Sequence, residues 1–302
     1  MKFVVTGGIG FIGSYIVKHL LKNNHEVIVV DDFSRGRLEN LTGFEEQVSL
    51  EKLDILDFDS LKDVINDSDG IFHQAALTSV PESFIQKEKY HSVNVVGTEN
   101  IFKLAKEFSI KVVYASSSSV YGNTTSIPIR EDFDRKPINP YGITKLDDET
   151  LAAKYHDFGT SIIGLRYFNV YGIGQTNDYA GVITKFYENI QADLSPIIFG
   201  DGSQTRDFVS VEDVAKANLL AMQSNTDFAH LNIGTGIMTS IHELANLMIK
   251  LSGKSLETKF DELPQGDIKS SQADASLAKE MINWSHKTIL EDGLKNFFFD
   301  KD

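Results

Sequence analysis

Through the first half of the chain, short apolar runs alternate with stretches of helical periodicity. Residues 3–5, 26–30, 70–73, 111–115 and 161–165 are near-continuous apolar runs, and 48–53 is strand-like. Helical spacing occupies 12–22, 60–66, 93–108 and 141–158. Strands that are apolar at nearly every residue, not at every second one, are covered on both faces. With helices between them, they predict a doubly wound α/β fold around a parallel sheet.

After about residue 169 the pattern loosens. Gly172, Gly174, Gly181, Gly200 and Gly202 punctuate a loop-rich stretch that contains a helix over 182–191. A helix over 211–222 and a strand over 230–233 follow, and that strand is expected to rejoin the main sheet. A helix beginning near Ser240 and the remaining tail complete a smaller, less regular α/β lobe. The chain has no long linker, repeat or low-complexity tract. The expected division is a first domain over 1–168, with 207–233 rejoining it, and a second over 169–302. Interleaved lobes leave a crevice between them as the natural ligand site.

The chain has 302 residues, enough for a large core, and 43 acidic against 29 basic side chains give a net charge of −14. That balance repels polyphosphates and anionic bilayers, so neither nucleic acid nor membrane is expected as a partner. A small anion held by a few local donors remains compatible with it. Cysteine is absent, which excludes disulfides, zinc–thiolate sites and cysteine nucleophiles, and no metal is expected. No apolar run reaches the length of a membrane span. The first six residues lead straight into a Gly-rich turn without room for a signal peptide, so the expected location is cytoplasmic.

That turn reads Thr6-Gly7-Gly8-Ile9-Gly10-Phe11-Ile12-Gly13, between a strand and a helix. Glycines let the backbone approach a pyrophosphate, and the helix N-terminus offers N–H groups and a partial positive charge. Asp31 ends the second strand about 20 residues on, where a carboxylate accepts both hydroxyls of an adenosine ribose. It would repel a 2′-phosphate, which favours NAD over NADP. Arg35 and Arg37 follow closely and offer charges that a phosphate would accept. A turn or helix-cap aspartate is the plainer reading of Asp31. Asp54 and Ile55 fit an adenine contact, and Asp54 equally fits a turn aspartate.

Tyr141 and Lys145 lie one helical turn apart, so both project from one helix face. An ammonium beside a phenol favours the phenolate, which then takes a proton from a sugar hydroxyl while hydride leaves the same carbon. Pro140 suits the start of that helix. Tyr-x-x-x-Lys alone is a common accident of amphipathic helices. The serines at 116–119 follow a strand, where ligands bind in open α/β folds, although a polar turn would read the same way.

Taken in order, these segments resemble the extended short-chain dehydrogenase/reductases, and most of all their NAD-dependent nucleotide-sugar 4-epimerases. The resemblance rests on the Gly-rich turn, Ser-Ser-Ser-Ser-Val-Tyr-Gly at 116–122, Tyr141-Gly-Ile-Thr-Lys145 and Arg166-Tyr-Phe-Asn-Val-Tyr-Gly172. Gly200-Asp-Gly-Ser-Gln-Thr-Arg-Asp-Phe208 extends it into the smaller lobe. It implies a Rossmann-type NAD-binding domain and a UDP-sugar-binding lobe. Tyr141 would be the acid/base, Lys145 its partner and a contact to the nicotinamide ribose, and Ser117 a hydroxyl partner of the sugar C4 oxygen. Gly7, Gly10, Phe11, Ile12 and Gly13, with Asp31, Asp32, Asp54 and Ile55, would hold the adenosine diphosphate part. Ala75, Ala76 and Asn94 would line the cofactor groove, with Tyr167 and Phe168 beside the nicotinamide. Asn169 would meet the substrate diphosphate, Val182 and Phe199 would flank the uracil, and Arg206 and Asp267 would reach diphosphate and ribose.

The same resemblance bears on the reaction. Dehydratases of this scaffold carry an acid pair where this chain has Ser118 and Ser119, so epimerisation is expected over elimination. The serine run also resembles UDP-glucuronate 4-epimerases, whereas Asn169-Val-Tyr-Gly and the segment 175–182 look more like the glucose and N-acetylglucosamine group. Ser271 stands where a bulky tyrosine would exclude a 2-N-acetyl group, so both UDP-glucose/galactose and UDP-GlcNAc/GalNAc are expected substrates. Pro264 stands where relatives often have an arginine. A nucleotide-sugar reductase that releases its cofactor, or a dinucleotide sensor, would share most of these motifs. Helices 93–108 and 141–158 would pair with their copies as a four-helix bundle in a homodimer.

Overall fold

The computed structural model describes residues 1–175, 181–262 and 269–299. The first half contains β1 (Lys2–Thr6), α1 (Phe11–Lys22), β2 (Glu26–Asp31), β3 (Ser49–Lys52), α2 (Phe58–Ile65), β4 (Gly70–His73), α3 (Val80–Ile85), α4 (Lys87–Tyr90), α5 (Gly97–Phe108), β5 (Lys111–Ser117), α6 (Pro140–Asp157) and β6 (Ile162–Tyr167). The second half adds β7 (Asn169–Tyr171), α7 (Val182–Gln191), β8 (Ile197–Phe199), β9 (Thr205–Arg206), β10 (Phe208–Ser210), α8 (Val211–Gln223), β11 (Phe228–Ile233), β12 (Thr239–Ser240), α9 (Ile241–Ser252), β13 (Lys259–Asp261), α10 (Ser276–Ile282) and α11 (Leu290–Phe299).

Seven strands form one parallel sheet in the order β3-β2-β1-β4-β5-β6-β11, a Rossmann-type arrangement. The apolar runs are continuous because both faces are covered. Phe3 and Val5 face a core shared with Ile16, Leu20 and Trp284, whereas Val4 faces one shared with Ile71, Phe102 and Tyr155. Strand β11 pairs with β6 at the sheet edge, so residues 228–233 belong to the main sheet. Helices α8 and α10 pack on that sheet as well, whereas α7, β8, α9 and α11 have their own core around Phe186, Ile198, Leu244 and Leu294. The chain order reverses direction between β1 and β4, which opens a crevice at the carboxyl ends of these two strands.

The start of α6 is fixed by local chemistry. Asn139 caps it by accepting from the Gly142 N–H at 2.7 Å, and Pro140 occupies the first turn. The helix expected over 93–108 is longer and less regular than its periodicity suggests. It is preceded by α4 and a π-helical turn over His91–Val96, and only then becomes α5. A π-turn inserts a residue without leaving the helix, so the apolar spacing stays readable while the phase of the side chains changes. Among the described residues, no helix is long and apolar enough to cross a membrane.

One buried carboxylate fastens α6 to the sheet. Glu149 accepts a two-pronged pair from Arg166 on β6, Nε to Oε1 and Nη2 to Oε2, both at 2.8 Å. Ser116 on β5 adds a 2.7 Å bond and Arg135 a 3.0 Å bond. Burial alone would raise the Glu149 pKa, but the Arg166 hydrogen bonds and charge hold it down, to about 2. Arg166 is oriented in turn by Tyr121 and the Glu131 carbonyl. We expect Glu149→Gln to cost about 3 kcal/mol at pH 7, because it leaves Arg166 buried without its counter-charge. The folded carboxyl titrates below its unfolded value of 4.5, so its contribution is complete above that pH and is lost as pH falls toward 2. Denaturant melts of both proteins from pH 7 to pH 3 should therefore show the gap narrowing on the acid side.

Candidate active site

A cavity of about 850 Å³ lies along the carboxyl edge of the sheet, over the point where its chain order reverses. One end is walled by Asp31, Asp32, Asp54 and Ile55, its middle by Gly7, Gly10, Phe11, Ile12 and Gly13 with Ala75 and Ala76 opposite. The far end holds Ser117, Tyr141, Lys145, Tyr167, Phe168 and Asn169.

The glycines are required by geometry. Gly7 has a left-handed φ of +66°, and a Cβ there would lie 2.7 Å from the Ala75 nitrogen. A Cβ on Gly13 would collide with the Gly7 carbonyl. Gly10 begins α1 without a capping side chain, so the first-turn N–H groups are left for an anion. Thr6 braces the turn from behind: its hydroxyl pairs with His73 Nδ1 at 2.7 Å and accepts from the Ala75 N–H at 3.3 Å. Thr98 holds the other His73 nitrogen at 2.8 Å. Burial pushes the His73 pKa down to about 3, so this link is a neutral imidazole.

Asp31 is buried at the end of β2. It accepts from the Phe33 N–H at 3.0 Å and the Ile9 N–H at 3.3 Å, and burial raises its pKa against these bonds. One oxygen of Asp32 is taken by the Ser34 N–H and hydroxyl. Asp54 accepts from the Leu56 N–H, a turn bond, while still facing the cavity. Arg35 donates from Nη2 to both carboxylate oxygens of Glu82 on α3, at 2.8 and 2.9 Å. This engages the arginine beside Asp31 with a carboxylate already present.

Asn94 stands behind the cavity wall. Its amide bridges both backbone groups of Leu77, at 2.8 and 3.0 Å, and donates to Thr144 at 3.0 Å. It therefore holds the loop after β4 against α6. Tyr167 is fixed by Gln74 and Asn218, and burial raises its pKa. At the sheet end, Ser117 Oγ accepts from the Ser119 N–H at 3.1 Å. Tyr141 and Lys145 occupy the first turns of α6. Lys145 is buried, and its Nζ lies 3.1 Å from Asp148 Oδ2.

Four residues expected at the substrate end lie on the smaller lobe and do not line the described cavity: Val182, Phe199, Arg206 and Ser271. Ser271 is buried and donates its N–H to the Thr205 carbonyl, beside Arg206. Asp267 and Pro264 lie outside the described residues. Asp207, which spacing did not single out, ties this region together. Its carboxylate accepts N–H groups from Thr235 at 2.7 Å, Gly236 at 2.8 Å and Ala273 at 3.0 Å.

Residues 3–234 match the sequence profile described as the NAD dependent epimerase/dehydratase family. The chain belongs to that family. It is 37% identical over 304 residues to a UDP-glucose 4-epimerase of Mycolicibacterium smegmatis, covering 97% of this chain and 96% of the other. A UDP-N-acetylglucosamine 4-epimerase from Methanobrevibacter ruminantium M1, solved with UDP-N-acetylmuramic acid, matches with a TM-score of 0.94 at 35% identity. That match covers 98% of this chain and 96% of the other. A UDP-glucuronic acid 4-epimerase from Bacillus cereus, solved with UDP-glucuronic acid and NAD, gives 0.91 at 32%, with 99% and 98% covered.

This member of the family is an extended short-chain dehydrogenase/reductase, an isomerase of the epimerase kind that uses NAD. Its cavity fits that cofactor: a glycine cradle without room for a Cβ, an uncapped helix start, and a buried carboxylate, Asp31, at the end of the next strand. Gly7→Ala adds a clash and left-handed backbone strain of about 1–3 kcal/mol. We expect it to weaken NAD binding by roughly ten- to a hundredfold, measured by titration of stripped protein.

Proposed function

We propose that this chain is a UDP-sugar 4-epimerase that interconverts UDP-glucose with UDP-galactose and UDP-GlcNAc with UDP-GalNAc. The carrying observation is that Ser117, Tyr141 and Lys145 share one end of the cavity whose other end presents Asp31. Bound NAD supplies a hydride acceptor that later returns the hydride, so the cofactor is unchanged over a full turnover. Tyr141 takes the proton of the sugar 4-hydroxyl and gives it back after the 4-keto sugar has turned over. Lys145 provides the positive charge that favours the phenolate, and Ser117 hydrogen-bonds the reacting oxygen. Ser118 and Ser119 offer no acid for a leaving hydroxyl, which supports epimerisation over elimination.

Asn169, Val182, Phe199, Arg206, Asp267 and Ser271 form the proposed UDP-sugar site. Orientation then comes from the nucleotide, remote from the reacting carbon, which leaves the sugar room to rotate. The small side chain of Ser271 supports acceptance of the 2-N-acetyl group. A UDP-glucuronate 4-epimerase is the second reading, supported by the serine run and by likeness to the Bacillus cereus enzyme. NMR of reactions offered UDP-glucose, UDP-GlcNAc and UDP-glucuronate in parallel decides among them. Conversion of the first two is expected, and conversion of the third alone would transfer the assignment. Tyr141→Phe should lower turnover by about 10²–10⁴-fold while NAD stays bound; wild-type activity in that variant would remove Tyr141 from the mechanism.

The working unit in this reading is a homodimer built on α5 and α6. Val96, Ile143 and Phe158 on or beside these helices are exposed, and Glu99 on α5 links the pair through Lys154 on α6 while also meeting Lys103 on its own helix. Apolar side chains beside matched charges suit a four-helix contact with a second copy. Light scattering after size exclusion should give a dimer for the wild type and a monomer for Ile143→Glu.

A further inference from the structure

Lys145 is a buried cation, and the partner placed on it is a buried carboxylate. Its ammonium lies 3.1 Å from Asp148 Oδ2, three residues on along α6, and the two side chains are 4% and 0% exposed. The second oxygen, Asp148 Oδ1, is also enclosed and has no hydrogen-bond partner among the described residues. Among the described residues, a carboxylate in that position is held as an ion by Lys145 on one oxygen and has no donor on the other. Leaving a buried acceptor unsatisfied is costly, so the ionised and protonated forms of this carboxyl lie close in free energy.

We propose that Asp148 is a positioning residue for the reaction: its carboxylate aims and partly neutralises the Lys145 ammonium, and thereby sets the pH range in which Tyr141 works as the base. The inference rests on the acid/base reading of Tyr141 and Lys145 given above. When Asp148 is ionised, the pair is neutral overall and Tyr141 faces a weakened positive field. When it is protonated, Lys145 acts on Tyr141 as an uncompensated cation.

The surroundings support a change of charge near neutrality. Burial pushes the Asp148 carboxyl up to about 7, against Lys145, which pulls it down, and with Asp147 and Glu149 on the same helix pushing it further up. From β5, the enclosed Tyr114 lies within the field of Asp148 and Glu149. From β4, His73 faces Lys145 and stays neutral. Arg166 and Arg135 are engaged by Glu149.

Asp148→Asn in the full-length, NAD-loaded enzyme tests this. Without the counter-charge, the positive field of the Lys145 ammonium at Tyr141 is no longer offset, and the ammonium itself has lost its negative neighbour. Both limbs of the kcat profile are therefore expected to move to lower pH by about one unit, with KM changed less than twofold. A residue that only packs would lower kcat or stability without moving the limbs. A second readout needs no turnover. A carboxyl raised on folding favours the fold below its unfolded pKa and loses that advantage as pH rises through about 7. Asp148→Asn should thus melt above the wild type at pH 8–9, and the gap should narrow as pH falls below 7 and close below about pH 4.

If Asp148→Asn does not fold, Asp148→Ser is measured in the same way. Superimposable normalised profiles for wild type and variant would overturn the proposal. The Tyr141→Phe control separates the failures. An active Tyr141→Phe removes the acid/base reading itself, whereas an inactive one beside an unshifted Asp148 variant removes only the role of Asp148.

Discussion

The Glu149 carboxylate joins the three elements that carry the proposed chemistry. It sits on α6, four residues beyond Lys145, and it binds Ser116 on β5 and Arg166 on β6. Ser116 precedes Ser117, and Arg166 precedes Tyr167. A single buried anion therefore fixes the neighbours of the hydroxyl, the phenol–ammonium pair and the cavity-floor tyrosine relative to one another. An apolar residue of similar volume would pack these elements without fixing their axial register. The two-pronged Arg166 contact sets distance and rotation together. The desolvation of these charges is the cost of that precision, offset here by a carboxylate that is hydrogen-bonded on both oxygens.

The nucleotide end is built on a different principle. Gly7 and Gly13 bring backbone against backbone, and Thr6, His73 and Thr98 form a neutral hydrogen-bonded brace behind them. A charged histidine there would sit beside Lys145 in the interior and add repulsion. Burial keeps it neutral, so each ring nitrogen pairs with a threonine hydroxyl. The smaller lobe is attached through Asp207, which collects N–H groups from two separate loops. The segments carrying Arg206 and Ser271 are thereby held side by side.

Those differences explain what the sequence made legible. Local features were readable: the Gly-rich turn, Asp31 at a strand end, and Tyr141 and Lys145 at helical spacing all lie within one or two elements. The doubly wound sheet was readable because burial on both faces suppresses alternation. Pairings between distant elements were not. Nothing in local spacing joins Glu149 to Arg166, Arg35 to Glu82, or Asn94 to Leu77. The π-turn at His91–Val96 was hidden because it leaves helical periodicity nearly intact. Asp148 was the exception: it stands three residues from Lys145, a spacing that puts both on one helix face. Its significance lies in burial, which spacing alone does not report.

A net charge of −14 and an anionic dinucleotide are reconciled by where the positive potential is placed. Two cations on the cavity wall face carboxylates of the chain itself, Arg35 with Glu82 and Lys145 with Asp148. Arg35 follows the carboxylate that would meet a 2′-phosphate, and Glu82 already supplies it with a counter-charge. In the proposed NAD site the attraction for a pyrophosphate comes from oriented N–H groups at the start of α1, which carry no net charge and need no counter-ion. Such dipoles act over about one helical turn, so they bind a seated phosphate without drawing polyanions to the surface. An acidic exterior and the proposed anion-binding interior are then compatible, and in this proposal discrimination against a second phosphate falls to Asp31.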